Sequence, residues 1–176
     1  MNLPNKITLT RIILIPVFIA TYFLHLYWVT LALFALLSAS DWLDGFIARK
    51  TNQVTTLGKY LDPMADKLLV ISALILLLPL EPMFFSICLI IIFARDFMVD
   101  GFRGIALNKN ILIPANWWGK VKTCFQIASI LLYFLGLAMS NEMILSIASL
   151  MLIVAVILTV ISGYIYISTK WKEVIE

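Results

Sequence analysis

The chain has 176 residues, of which 62% are hydrophobic and only 13% charged, with a formal net charge of +3 and a mean hydropathy of +1.02. That composition excludes an ordinary water-soluble domain. It fits one membrane domain over residues 1–176, without linker, internal repeat or low-complexity segment, and it gives no reason to expect a nucleic-acid partner.

Apolar runs predict six helices, at 7–27, 29–50, 59–80, 82–106, 115–140 and 142–169. Each has the roughly 20 residues needed to cross a bilayer, so the fold class is all-α integral membrane with six transmembrane helices. Six crossings leave both termini on one side. The first run lacks a convincing cleavage site and carries Arg11 well inside, so it reads as mature structure and not as a signal peptide. Charge placement gives the orientation. The connections near 28, 81 and 141 hold no Lys or Arg, whereas Lys6, Arg11, Arg49, Lys50, Lys59, Arg95, Arg103, Lys109, Lys120, Lys122, Lys170 and Lys172 fall at or near the opposite ends. Lys67 lies about one turn deeper on that side, where it can snorkel. The positive-inside rule makes that face cytoplasmic, in a multi-pass protein of the cell (inner or plasma) membrane. Such a face attracts anionic lipid and phosphorylated substrates.

In chain order, Asn2 to Arg11 is short, polar and partly amphipathic, as an interfacial segment leading into the first helix would be. Asn5, Thr8 and Arg11 share a helical face. His25, a lone histidine near the outer end of helix 1, reads as an interface residue. The second and third runs then meet in the stretch that organises the chain, Asp41 to Asp66, with four aspartates flanking a short polar turn. Carboxylates at the edge of an apolar span are costly unless paired, hydrated or bound to cations. Asp41 and Asp44 are i, i+3, and Asp62 and Asp66 are i, i+4, so each pair lies on one helical face. A hairpin through 51–57 can bring both acidic stripes to one end.

That donor set suits hard divalent ions, Mg²⁺ or Mn²⁺, and four carboxylates are enough for two. Gly45 and Ala48 continue the first stripe without bulk and let a ligand approach the backbone. Arg49 beside them can fork onto phosphate, and the helix start near Gly58 can support anionic groups. The plain alternative is helix capping and pairing with Arg49, Lys50, Lys59 and Lys67. Capping accounts for Asp62, which precedes Pro63, and leaves the spacing of the other aspartates to chance.

Further on, Arg95 and Asp96 are charges within an apolar span, read either as a structural ion pair or as part of a cationic cavity. Arg103 lies eight residues on, near the same face, and Lys120 and Lys122 open the fifth helix; such a group suits a phosphate-bearing substrate. Trp117, Trp118 and Trp171 at one boundary, and Tyr27 and Trp28 at the other, form aromatic belts. Cys88 and Cys124 lack metal-ligand spacing and read as small core residues. The sixth helix, without charge between Glu142 and Lys170, reads as packing or lipid contact.

The pattern Asp41-x2-Asp44-Gly45-x2-Ala48-Arg49-x8-Gly58-x3-Asp62-x3-Asp66 specifies eight positions over 26 residues, and it resembles the complete signature of the CDP-alcohol phosphotransferase family. The resemblance implies six transmembrane helices over the whole chain and a homodimer. It also implies Asp41, Asp44, Asp62 and Asp66 as metal ligands, with Mg²⁺ or Mn²⁺, two per site, as cofactor, and Asp66 doubling as the general base. Asp44, Gly45, Ala48, Arg49 and Gly58 would border CDP. The amino terminus is similar to that of bacterial phosphatidylglycerophosphate synthases, which implies that Asn5, Thr8 and Arg11 also border the nucleotide. The 95–103 segment resembles their Arg-Glu-Phe-x-Val-Thr-Gly-x-Arg pattern, and Gly119 to Thr123 matches their next motif. Phosphatidyl transfer from CDP-diacylglycerol to sn-glycerol 3-phosphate is the implied reaction, with Arg95, Arg103, Lys120 and Lys122 on the acceptor phosphate. Inositol phosphate, serine or phosphatidylglycerol are the alternative acceptors. The chain departs from the pattern at Asp96 (Glu there) and at Asp100 (Thr there), and Asp100 adds a negative charge near the phosphate pocket.

Two other classes fit less well. An ion or proton transporter also places carboxylates in helices, but usually near the midplane at broken helices, whereas these lie at one interface. A non-catalytic assembly subunit could bind a partner's basic patch through the acidic hairpin. Asp66→Asn separates them, since only an enzyme would lose turnover while staying folded and able to bind metal.

Overall fold

The structure, a computed structural model, describes residues 3–51, 56–109 and 117–175, with side chains described except at 3–8, 41–51, 56–63, 66, 107–108, 170 and 172–175. Six helices follow in order: α1 (Leu3–Phe23), α2 (Tyr27–Thr51), α3 (Thr56–Leu77), α4 (Pro82–Asn108), α5 (Trp117–Met139) and α6 (Glu142–Ile175). Three are long and apolar enough among the described residues to cross a membrane, at Pro82–Ala106, Trp117–Met139 and Glu142–Thr169. In α1, α2 and α3 the apolar stretches among the described residues are Leu9–Phe23, Tyr27–Ser40 and Lys67–Leu77.

Three short turns join the helices at the other end, the far end. At two of them a non-glycine residue takes the left-handed conformation, His25 with φ 56° and Ser140 with φ 50°. Each closes a helix by the same pair of bonds. The amide of Leu26 donates to the Thr21 carbonyl at 3.0 Å and that of Asn141 to the Gly136 carbonyl at 3.0 Å, while His25 and Ser140 donate to Tyr22 and Leu137. This double closure satisfies carbonyls a helix end would otherwise strand in apolar surroundings. It also ends α1 at Phe23, four residues before the predicted boundary. His25 is not partnerless, since its Nδ1 lies 2.8 Å from the Tyr27 hydroxyl. At its other limit α1 reaches back to Leu3, so the polar opening segment is continuous with the first helix.

The core is aromatic at its centre. Phe18 of α1, Phe34 of α2 and Phe134 of α5 are fully buried, with ring centroids 5.6 to 5.8 Å apart. Edge and tilted contacts of this kind add to the gain from burial. A second, smaller cluster joins Val99, Phe102 and Ala106 of α4 to Tyr166 of α6. Helix α1 touches α2 and α3, α2 touches α3 and α5, α3 touches α4 and α5, and α6 closes the bundle against α4 and α5. Large apolar side chains stand outward along α4 and α6, including Ile90, Phe97, Leu150 and Ile157. So much exposed apolar surface is stable only where lipid replaces water. Cys88 lies in the core as expected, but Cys124 is exposed. It stands on the outward side of α5, where a small apolar thiol meets lipid as readily as protein.

Candidate active site

Backbone placement comes first. Asp41 and Asp44 stand ten and seven residues before the end of α2 at Thr51, and Asp62 and Asp66 stand six and ten residues after the start of α3 at Thr56. The two helices touch and four residues connect them. Matched counts from one turn put the aspartates of both helices at similar heights, about 10 to 15 Å from the turn at 1.5 Å per residue. Gly45, Ala48 and Arg49 lie in the last turns of α2, Gly58 in the first turn of α3, and Asn5 and Thr8 in the first turns of α1. The side chains of all these residues lie outside the described ones.

Arg11 is described, and it is almost completely buried. Its Nε donates to Ser40 Oγ at 3.2 Å, and Ser40 passes a hydrogen bond to the Leu37 carbonyl at 2.8 Å. This ties α1 to α2 one residue before Asp41. A buried guanidinium is tolerated only where counter-charge or several acceptors surround it. One turn before Asp41, on the same stripe, Ser38 Oγ is buried with no hydrogen-bond partner. Carboxylate and hydroxyl oxygens are hard donors, so in chemical type the residues that α2 and α3 carry here suit Mg²⁺ or Mn²⁺.

Helix α4 carries a run of charged residues whose members reach three different helices. Asp96 Oδ1 accepts from Arg95 at 2.8 Å and from Lys122 of α5 at 2.5 Å. The Lys122 side chain is only 5% exposed, and a charge so buried is costly unless it is paired, as it is here with Asp96. Arg95 also donates to Ser162 Oγ of α6 at 3.0 Å, while its Nε is buried without a partner. Asp100, one turn along, is paired with Lys67 of α3. Arg103 Nε donates to the Tyr166 hydroxyl at 3.3 Å, and its guanidinium lies 5.8 Å from the centre of that ring. Lys120 is exposed at the start of α5.

Of the four cations expected on the acceptor, Arg95 and Lys122 thus converge on Asp96, Arg103 rests on Tyr166, and Lys120 faces outward. The i, i+1 pairing expected of Arg95 and Asp96 is present, and the network also takes in Lys122 and Ser162. Sequence reasoning missed the part of α6. Beyond packing and lipid contact, it supplies Ser162 and Tyr166, four residues apart on one face, and Gly163 between them. A Cβ at Gly163 would lie 2.8 Å from Arg95 Cγ, so the glycine makes room for the arginine stem. Polar Ser162 and Tyr166, at helical spacing within an apolar run, were the available signal.

A cavity of about 260 Å³ opens at the far end, lined by Leu80, Glu81, Phe85, Tyr133 and Glu142 among others. It holds two acidic residues and no cation, so nothing in its lining suits a phosphorylated substrate.

The family model for CDP-alcohol phosphatidyltransferase matches residues 1–161. A Bacillus subtilis (strain 168) protein, a CDP-diacylglycerol–glycerol-3-phosphate 3-phosphatidyltransferase, is 40% identical over 188 residues, covering 97% of this chain and 96% of its own. Proteins of the same name from Rickettsia bellii (40% identical; 94% of this chain, 93% of theirs) and Yersinia enterocolitica (32%; 100% and 98%) are similar along almost their whole length. The chain belongs to the CDP-alcohol phosphatidyltransferase family. With three helices long and apolar enough to span, it is a multi-pass membrane member of that family.

Proposed function

We propose that the protein transfers the phosphatidyl group of CDP-diacylglycerol to sn-glycerol 3-phosphate, releasing CMP and phosphatidylglycerophosphate. The observation that carries this reading is the full-length likeness to relatives that all bear that activity in their names. The family signature between Asp41 and Asp66 and the cations of α4 and α5 agree with it.

In this reading Asp41, Asp44, Asp62 and Asp66 hold the divalent cations, Mg²⁺ or Mn²⁺ and two per site. When bound, these cations neutralise the pyrophosphate and the departing CMP. Gly45 and Ala48 leave space for CDP along α2, Arg49 forks onto its phosphates, Gly58 borders it from α3, and Asn5, Thr8 and Arg11 border it from α1. Asp66 accepts the proton of the acceptor hydroxyl as that oxygen attacks the β-phosphorus in line. One P–O bond forms to glycerol phosphate and the P–O bond to CMP breaks. A carboxylate beside cations is a mild base, so position and not basicity gives it value. Arg103 and Lys120 attract the acceptor phosphate, and Arg95 and Lys122, held together by Asp96, add positive charge on the same side.

The same reading has six membrane crossings with both termini cytoplasmic, an active site facing the cytoplasm of the cell membrane, and a homodimer. Its support is charge placement, since the turns at 24–26, 78–81 and 140–141 carry no Lys or Arg. The test is acceptor choice. Detergent-purified protein given Mg²⁺ or Mn²⁺ and CDP-diacylglycerol releases CMP fastest with sn-glycerol 3-phosphate. Preference for inositol phosphate, serine or phosphatidylglycerol would leave the family standing and remove the acceptor.

A further inference from the structure

Asp100 poses a physical problem. It lies on one face of α4 between Asp96 and Arg103, four residues from the first and three from the second, where a carboxylate opposes any anion approaching Arg103 and Lys120. The structure supplies its answer from another helix, since the Lys67 ammonium of α3 is paired with the Asp100 carboxylate. Neither side chain is deeply buried, at 28% and 48% exposed, so the pair adds little to stability. Its position is the more telling property. Lys67 directly follows Asp66, and its partner directly precedes the Arg103 turn. We infer that Lys67 is a specificity-determining residue for an anionic acceptor: it cancels the Asp100 charge at the rim of the acceptor pocket, so that Asp100 does not repel the incoming phosphate.

This role rests on the phosphate acceptor proposed above, and a charge cycle tests it. A bare unit charge at the rim of such a site changes anion affinity by roughly an order of magnitude. Lys67→Ala therefore raises the KM for sn-glycerol 3-phosphate about tenfold, with the KM for CDP-diacylglycerol unchanged. Adding Asp100→Asn to that variant returns the acceptor KM to within about twofold of the unaltered protein, because no charge is left to cancel. Lys67→Arg keeps the charge and the KM. The Lys67→Ala defect also shrinks as salt is raised, since screening weakens repulsion; a packing defect would not respond in that way. Thermal unfolding of each variant in detergent identifies any that fail to fold, and the Lys67→Arg and doubly substituted proteins then carry the comparison. An unchanged acceptor KM in Lys67→Ala, or no rescue by Asp100→Asn, overturns the role of the pair while the reaction stands. Absence of CMP release from the unaltered protein with sn-glycerol 3-phosphate overturns the reaction and this role with it.

Discussion

Two helical hairpins in this bundle are built from similar apolar helices and do opposite things. At the far end of α5–α6 the devices serve closure. Ser140 takes the left-handed turn, Asn141 Oδ1 accepts from the amides of Met143 and Ile144 at 3.0 and 3.3 Å, and Tyr133 meets Ser149 at 2.7 Å. Gly136 lets the helices come so close that an added Cβ would lie 2.7 Å from Leu145 Cδ2. In α2–α3 four aspartates stand at matched heights of touching helices, in excess of what a hairpin needs to close. A hairpin end closed by its own turn, cap and close packing is scaffold; in the function proposed above, the end that carries four aspartates is the place for cations and a substrate.

Substitutions in the two hairpins should therefore separate cleanly. The largest effect belongs to Asp66→Asn. Loss of a positioned base lowers turnover by about 10²- to 10⁴-fold, while the unfolding temperature in detergent stays near that of the unaltered protein and Mn²⁺ still binds, more weakly, through the other three aspartates. A large drop in stability instead would place Asp66 among the scaffold residues. Gly136→Val acts on the other side of the comparison. Overpacking against Leu145 costs about 2–3 kcal/mol, offset by the few tenths by which valine exceeds glycine in helix propensity. Thermal unfolding should fall accordingly, with CMP release per folded molecule unchanged. Asn141→Ala sharpens the contrast at the small end, since losing the α6 cap costs about 1 kcal/mol and should leave the KM for both substrates alone. Altered substrate KM in either scaffold variant would mean that the far end communicates with the site.

Much of this was legible in the sequence, for reasons that differ by region. The helices were legible because apolar runs broken by short turns leave few other folds in lipid. The contact of α2 with α3 was legible because only a short polar turn separates the two apolar runs; the aspartate side chains themselves lie outside the described ones. Helix limits were less so. Nothing marks His25 as a left-handed helix stop, since glycine is the usual occupant, and α1 accordingly ends four residues early. What spacing within one helix cannot encode is which neighbour a side chain meets. Lys67 was expected to snorkel, but its pairing with Asp100 of α4 could not be read from its own helix. Arg95 was paired with the adjacent Asp96 readily enough, but Lys122 and Ser162, 26 and 67 positions away, depend on how α4, α5 and α6 assemble.

Helix α6 has 34 residues, about 51 Å at 1.5 Å per residue, against a hydrocarbon thickness of about 30 Å. Its length beyond the lipid is put to use, because Trp171 stacks on Phe102 with centroids 6.4 Å apart and planes 8° from parallel, one residue from Arg103. A rod longer than its bilayer adjusts by leaning, and any lean of α6 would carry Tyr166 and Trp171 with it. Bilayer thickness would thereby reach Arg103 through the two aromatic contacts of α4 with α6.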